Sequence, residues 1–316
     1  MIYAAIDLGT VTSRLMISTV NNGCLEIIEE RMVITDLGEG LSFSGVISEA
    51  AFERLFAALM QFKELMDEAQ DNLPSEDGKA YVIPVKAIAT SAMRDAKNAD
   101  ELLSRLKEKG FFIEVISGRQ EAELSFKGTL SGFSDLNSTV ITVDVGGGST
   151  ELILGTNDSK IVTSRSFDIG CRRVTELFLK SDPPSAQELC DARAWIEEQI
   201  EPFLASLSQR PTEMIAVAGT ATSALTIRDG IDVYDRDSVH GKTISAEELD
   251  ALVTTLASMN LDSRKLVSGL DPKRASVIVG GLVTLAAVLN VLGMDTFLVS
   301  DTDILQGIIL DAAAIC

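Results

Sequence analysis

Two short segments place a carboxylate, glycines and hydroxyl side chains in the same pattern. DLGTVTSRLMI at Asp7–Ile17 and DVGGGSTELIL at Asp144–Leu154 align without a gap. Asp7 meets Asp144, Gly9 meets Gly146, Thr12 meets Ser149 and Leu15 meets Leu152. Each segment lies between two β-rich runs, so each reads as a hairpin tip in an internal repeat. A tip of this composition offers backbone N–H and hydroxyl donors to an anion. Gly146, Gly147 and Gly148 let the backbone approach a phosphate with no Cβ in between. Ser149, and Thr10 and Thr12 in the first tip, add hydroxyls. Asp7 and Asp144 make sense beside a phosphate only with a cation between, and Mg²⁺ is the hard ion that takes carboxylate and phosphate oxygens together.

Other residues fit the same chemistry. Arg94 in ATSAMRDAKN is expected in the first turn of a helix, where the dipole disfavours a cation and a bound anion would explain one. Arg14, Arg172 and Arg173 are weaker candidates of this kind. Glu121 is expected near a helix N-terminus after a strand, where open α/β sheets place ligands. Glu151 follows the triple glycine. Either carboxylate could orient and deprotonate a water for in-line attack on a terminal phosphoryl group. Glu123 points elsewhere around the helix. His240 is the sole histidine; such a residue is more often structural than catalytic, although Gly241 and Lys242 beside it leave contact with a distal phosphate open. No Cys/His metal set and no Ser-His-Asp pattern can be assembled.

The elements that must position these groups alternate between strand and helix. In the first half, strands at Tyr3–Val20 and Leu25–Thr35 precede a helix capped by Ser48. A polar loop DNLPSEDGK and a strand YVIPVKAIAT follow, with Pro84 suggesting an edge or bulge. A helix at Ser91–Lys109 and a short strand FFIEVIS lead to Ser117–Gln120, whose capping-box spacing starts a helix at Gly118. The second half repeats the plan through VITVDVGG, STELILG, a helix in AQELCDARAWIEEQIEPFLASL, the strand–turn–helix MIAVAGTATSAL, the helix ISAEELDALVTTLASM and TFLVSDTDILQGIILDAAA. This order implies α/β architecture with a mixed sheet in each half.

Bulk properties narrow the function classes. The chain has 316 residues, more than the roughly 100–200 of one domain, so two are expected. A net charge of −20 and only 5% aromatics argue against nucleic-acid binding, which needs a basic face and stacking platforms. Cys24, Cys171, Cys190 and Cys316 are widely spaced, which favours free thiols in a reducing cytoplasm. The N-terminus lacks a signal-peptide pattern. Ala275 to Met294 carries no charge; with Asn290 inside it and an acidic remainder around it, it reads as a buried helix rather than a membrane span.

Taken in order, DLGTVTSRL, ATSAMRDAKN, ISGRQEAEL, DVGGGSTELIL, IGCRRVTE, AVAGTATSAL, VHGKTIS, KRASVIVGG and SDTDILQGI resemble the exopolyphosphatase/guanosine pentaphosphate phosphohydrolase family of the actin-like ATPase superfamily. The resemblance implies two actin-like (ribonuclease H-like) domains, at 1–125 and 126–301, with a cleft between them and the C-terminal helix at about 302–316 returning to the first. It implies that Glu121 is the catalytic base and Glu151 its partner, that Asp7 and Asp144 are the metal-side acids, and that Arg94 binds phosphate. Gly146 to Ser149 match the second phosphate loop, Arg173 a recurring arginine, and Gly219 and Thr220 the glycine turn on the superfamily's nucleotide side. Arg274 and His240 match substrate-facing positions. The implied activity is Mg²⁺-dependent hydrolysis of the terminal phosphate of polyphosphate, with guanosine pentaphosphate as the second substrate. The resemblance leaves a monovalent cation and a homodimer open.

Three departures stand out. Thr10, Val11 and Thr12 replace a usual Ser-Asn-Ser, so Val11 removes an amide side chain from the phosphate grip. Gln120 replaces the first Glu of a pair, and Gln306 stands where Arg is common. Val11 and Gln306 motivate a non-catalytic polyphosphate or alarmone binder as an alternative. A superfamily kinase would use an Asp toward an acceptor hydroxyl, whereas Glu121 favours water.

Overall fold

The computed structural model describes residues 1–21, 23–73, 82–136 and 139–315. Most of the polar loop expected at Asp71–Lys79 lies outside them, as do Tyr81 and Cys316. The chain divides into two compact units, Met1–Gly128 with Ile304–Cys316, and Thr129–Asp303.

The first unit begins with β1 (Ile2–Leu8), β2 (Thr12–Asn21) and β3 (Cys24–Ile34). It continues through α1 (Leu41–Ser44), α2 (Glu49–Asp71), β4 (Val85–Ala89), α3 (Ser91–Asp95), α4 (Ala99–Glu108), β5 (Glu114–Val115) and α5 (Gly118–Leu130). The sheet order is β3-β2-β1-β4-β5; β1, β2 and β3 are antiparallel, and β4 and β5 run parallel to β1.

The second unit repeats this plan. It contains β6 (Thr139–Val145), β7 (Thr150–Thr156), β8 (Ile161–Phe167), α6 (Cys171–Phe178), α7 (Ala186–Ala205), β9 (Glu213–Val217), α8 (Ala218–Asp229) and α9 (Arg236–Val239). Then come β10 (Thr243–Ser245), α10 (Ala246–Ala257), α11 (Leu261–Arg264), α12 (Ile278–Leu292) and β11 (Thr296–Val299), before α13 (Ile304–Ile315) joins the first unit. From one edge the sheet reads β8-β7-β6-β9-β11-β10. Its first five strands have the same order and directions as the first sheet, the layout of a ribonuclease H-like, actin-type domain.

Alternation along β1 buries both faces. Ala4, Ile6 and Leu8 pack with Phe52, Leu55, Leu59 and Phe62 of α2, while Tyr3 and Ala5 pack with Leu124 of α5 and Leu305, Ile308 and Ile309 of α13. In β6, Ile141, Val143 and Val145 join the core that α7 and α12 cover. Thr142 and Asp144 alternate with them, and so project from the opposite face.

Several local expectations change. Pro84 precedes β4, which lies between β1 and β5 and is no edge; the Pro84 carbonyl accepts from the Ala4 N–H (2.9 Å). The helix expected at Ser91–Lys109 is two helices, because Ala96 is extended (φ −75°, ψ 126°). Arg94 therefore sits in the last turn of α3, where the dipole favours a cation. The dipole argument for a bound anion does not apply there. β8 escaped the sequence reading, since IVTSRSF is half exposed and interrupted by Ser and Arg. The uncharged stretch at Ala275–Met294 forms α12, buried from Ile278 to Leu289. Among the described residues, no helix is long and apolar enough to cross a membrane.

Capping sets where the helices begin. Ser48 accepts from the Ala51 N–H (3.2 Å). Ser117 and Gln120 exchange side-chain and backbone bonds (3.0 and 3.3 Å), so Gln120 keeps a capping-box role. Ser185 with Glu188 and Ser245 with Glu248 form two more boxes. The Ser181 hydroxyl, then the Ser185 N–H, hold the Glu188 carboxyl at about 2, below its ordinary 4.5. A folded-state value depressed in this way contributes stability above about 4.5 and loses it as the pH falls toward about 2. Glu188→Ala is expected to lower the Tm at neutral pH, with the gap to wild type closing through that window. Thermal melts across the range check this, and a gap independent of pH would show that the carboxylate's charge is not what holds the cap.

Candidate active site

The tip between β6 and β7 is held from behind. The Gly146 N–H donates to the Ser149 carbonyl (3.0 Å) and closes the turn. The start of α6 then takes up the loop's carbonyls. Cys171 N–H donates to Gly146 (2.9 Å), Arg172 and Arg173 N–H to Gly147 (2.9 and 3.3 Å), and Arg173 Nε to Gly148 (3.0 Å). Gly170 makes this contact possible, because a Cβ there would lie 2.4 Å from the Gly147 carbonyl and 2.5 Å from Gly148 N. With its carbonyls drawn to one side, the loop turns its amides the other way. The N–H groups of Gly147, Gly148 and Ser149 find no acceptor among the described residues, although Gly148 and Ser149 are buried. Buried donors without partners are costly, and successive amides left in this way can receive an anion.

Two carboxylates flank this loop. Asp144 in β6 and Glu151 in β7 are direct cross-strand partners, 8% and 1% exposed. Glu151 Oε1 accepts from the Ser166 hydroxyl on β8 (2.6 Å).

The tip between β1 and β2 is built the same way. Gly9 N–H donates to Thr12 (2.9 Å), Thr35 and Asp36 N–H to Val11 (3.1 and 2.8 Å), and Gly38 N–H to Thr10 (2.8 Å). The segment after β3 thus holds this loop as the start of α6 holds the other. Val11 is buried, and its carbonyl is the main tether. The hydroxyls of Thr10 and Thr12 have no acceptor or donor among the described residues. The acids differ between the tips. Arg14 stands opposite Asp7 where Glu151 stands opposite Asp144, and its Nη2 and Nε donate to Asp7 Oδ2 (2.9 and 3.3 Å). A guanidinium on that oxygen competes with a metal there.

Arg94 and Glu121 meet in the first unit. Arg94 Nη1 donates to Glu121 Oε2 (2.6 Å) and to the Ile116 carbonyl (3.0 Å). Its Nε and Nη2 find no acceptor among the described residues. Glu121 is 8% exposed, in the first turn of α5. The sequence assigned these residues separate roles; the structure joins them as an ion pair that fixes the carboxylate's orientation.

The AVAGTATSAL turn carries local strain. Ala218, at the join of β9 and α8, has φ +64°, which an L-residue rarely adopts. The neighbouring Gly219 is needed for a different reason: a Cβ would stand 1.7 Å from Arg274 Nη1, so the guanidinium lies against the bare Cα. Thr220 is buried and donates its hydroxyl to the Val145 carbonyl (3.3 Å), a bond that braces the end of β6. His240 is also structural in its contacts. Its Nδ1 accepts from the Asp301 N–H (3.2 Å), its Nε2 meets the Gly132 carbonyl (2.9 Å), and its ring lies 4.5 Å from that of Phe133. With both nitrogens committed to backbone, the substrate-facing reading of His240 is set aside. Gln306 is buried on α13.

Sequence reasoning missed Ser166, because only the register of β7 with β8 brings it to Glu151. The alternation of β8 would have shown its face, had that strand been recognised. Among the described residues, no cluster of three or more Asp, Glu, His or Cys could hold a metal. That donor set does not suit zinc. It does suit Mg²⁺, which keeps its waters and takes one or two carboxylates plus phosphate oxygens. Asp144 is the carboxylate on the strand that leads into the amide loop.

The Ppx/GppA phosphatase family model matches residues 16–314. Exopolyphosphatase 2 of Mycobacterium tuberculosis is 33% identical over 328 aligned residues, covering 98% of each chain. The crystal structure of the Aquifex aeolicus Ppx/GppA family member is 30% identical and superposes with a TM-score of 0.81 over 100% of this chain and 98% of its own. An exopolyphosphatase from Cytophaga hutchinsonii, 26% identical, gives a TM-score of 0.87 over 99% and 98%. The chain, with its paired hairpin tips and carboxylates, belongs to the Ppx/GppA phosphatase family.

Proposed function

We propose that the protein is a Mg²⁺-dependent exopolyphosphatase, releasing the terminal phosphate of inorganic polyphosphate to water. The observation that carries this reading is the β6–β7 loop, whose amides find no acceptor among the described residues and whose carbonyls are all tied back. Such a loop receives a tetrahedral anion through the N–H groups of Gly147, Gly148 and Ser149 and the Ser149 hydroxyl. For a protein of net charge −20, local donors of this kind must outweigh long-range repulsion of a polyanion. Similarity to the mycobacterial exopolyphosphatase supports the substrate class.

Asp144 is the residue to hold Mg²⁺, which when bound neutralises phosphate oxygens and polarises the phosphoryl group. Glu121 accepts the proton of the attacking water, its carboxylate held by Arg94 Nη1. Arg94 keeps Nε and Nη2 for a phosphate oxygen. Glu151, its Oε1 held by Ser166, is the second unit's carboxylate for orienting a water. Little covalent help is needed for this transition state, so positioning and charge neutralisation carry most of the catalysis. In the first unit, Thr10 and Thr12 offer hydroxyls to a phosphate. Arg14 keeps Asp7 paired beside them, and Arg173 braces the second loop. Gly219 and Arg274 serve more distal phosphates.

Phosphate release from polyphosphate, guanosine pentaphosphate and ATP, each with Mg²⁺, tests the assignment. Polyphosphate is expected to be hydrolysed fastest; preference for guanosine pentaphosphate would move the substrate, and no release from any of them would leave a binding protein. Glu121→Gln is expected to lower kcat by about 10²–10⁴-fold, and an unchanged rate would remove Glu121 from the chemistry. Chelation by EDTA should abolish release and added Mg²⁺ restore it. Gly170→Ala, whose Cβ would press on the loop backbone, should raise KM about tenfold or more if misplaced donors are lost. An unchanged KM would show that the tie-back does not set substrate affinity.

A further inference from the structure

We propose that Ser166 is a positioning residue for catalysis, the donor that fixes the Glu151 carboxylate in its working orientation; this rests on the reading of Glu151 given above. Glu151 is the least exposed acid of the site, at 1%. A carboxylate so enclosed has lost most of its water, and one hydrogen bond from a protein donor then counts for much more than at a surface. That donor is on an adjacent strand. Ser166 lies directly across from Glu151 in the antiparallel β7–β8 pair, and its hydroxyl donates to Oε1 at 2.6 Å, a charge-assisted length.

The strand pairing determines what this bond can do. Glu151 has Asp144 across from it on one side and Ser166 on the other. An acid facing another acid tends to swing away from it or to share a proton. Ser166 opposes the swing, since directly opposite side chains are within reach of one another and a short donor holds one oxygen on its own side. One oxygen of the carboxylate is thereby held by β8, an element that contributes nothing else to the proposed chemistry. Ser164, on the same strand and face and opposite Ile153, has no such acceptor across from it.

Ser166→Ala removes the donor and keeps the strand. Steady-state phosphate release from polyphosphate should show kcat lowered about tenfold or more, with KM within about twofold of wild type and a thermal midpoint lowered by a few degrees, still well above the assay temperature. Ser166→Thr, which restores a hydroxyl in a strand-compatible side chain, should recover most of kcat, and Ser164→Ala should leave both constants unchanged. Should Ser166→Ala fail to fold, Ser166→Cys keeps the volume with a much weaker donor and is expected to show the same loss. An unaltered kcat in Ser166→Ala, or a loss that Thr does not rescue, overturns the proposal. Glu151→Gln separates the two levels: full activity in that variant removes the reading of Glu151 itself, whereas an inactive Glu151→Gln beside a fully active Ser166→Ala removes only the role of Ser166.

Discussion

The disposal of the loop carbonyls organises both units. A hairpin tip of three or four residues has as many C=O groups as N–H groups, and left to itself it would satisfy them with water on either side. Here the segment that follows the third strand of each unit captures the carbonyls. Residues 35–38 take Thr10 and Val11, while residues 171–173 take Gly146, Gly147 and Gly148. The amides have no choice but to converge on the other side. Each such bond contributes about 0.5–1.5 kcal/mol net, and a buried amide left unpaired costs about 1–3 kcal/mol. The tie-back therefore offsets much of the cost of holding empty donors ready. The strand order follows from the same requirement, because a third antiparallel strand is what returns the chain to the back of the tip.

On this shared frame the two tips have diverged by one cross-strand pair. The same register that puts Arg14 opposite Asp7 puts Glu151 opposite Asp144. One tip thus pairs an acid with a base across the strands, and the other pairs two acids. Two acids directly opposite each other repel unless a cation, a proton or donors of the protein stand between them, and Ser166 is one such donor on Glu151. Val11, which at the sequence level reads as a lost phosphate contact, is better understood as a core side chain whose carbonyl ties the first loop.

What the sequence disclosed and what it hid divide by range. The repeat, the α/β alternation and the caps at Ser48 and Ser117 are local patterns, each decided within a few residues, and each appears in the structure. The break at Ala96 was hidden because neither glycine nor proline marks it. Ser166 on Glu151, Arg274 on Gly219 and His240 between Gly132 and Asp301 join residues from separate elements. Only strand register or tertiary packing creates those contacts. His240 is the clearest case: its neighbours Gly241 and Lys242 suggested an anion, while its partners come from segments over sixty residues away.

The same division explains why glycine misleads when read by type. Gly219 looks like a turn residue in AVAGTATS, yet the left-handed backbone belongs to Ala218 beside it. Gly219 is fixed by a guanidinium from another element resting on its Cα, a reason invisible to any turn rule. Placing the strain on Ala218 keeps the bare Cα for Arg274, because a glycine spent on the positive φ would leave an adjacent Cβ in the guanidinium's place. One alanine in a disfavoured conformation costs about 1–3 kcal/mol, so the strain at this turn and the close approach of the arginine are carried by two neighbouring residues, and only the second of them requires a glycine for its contact.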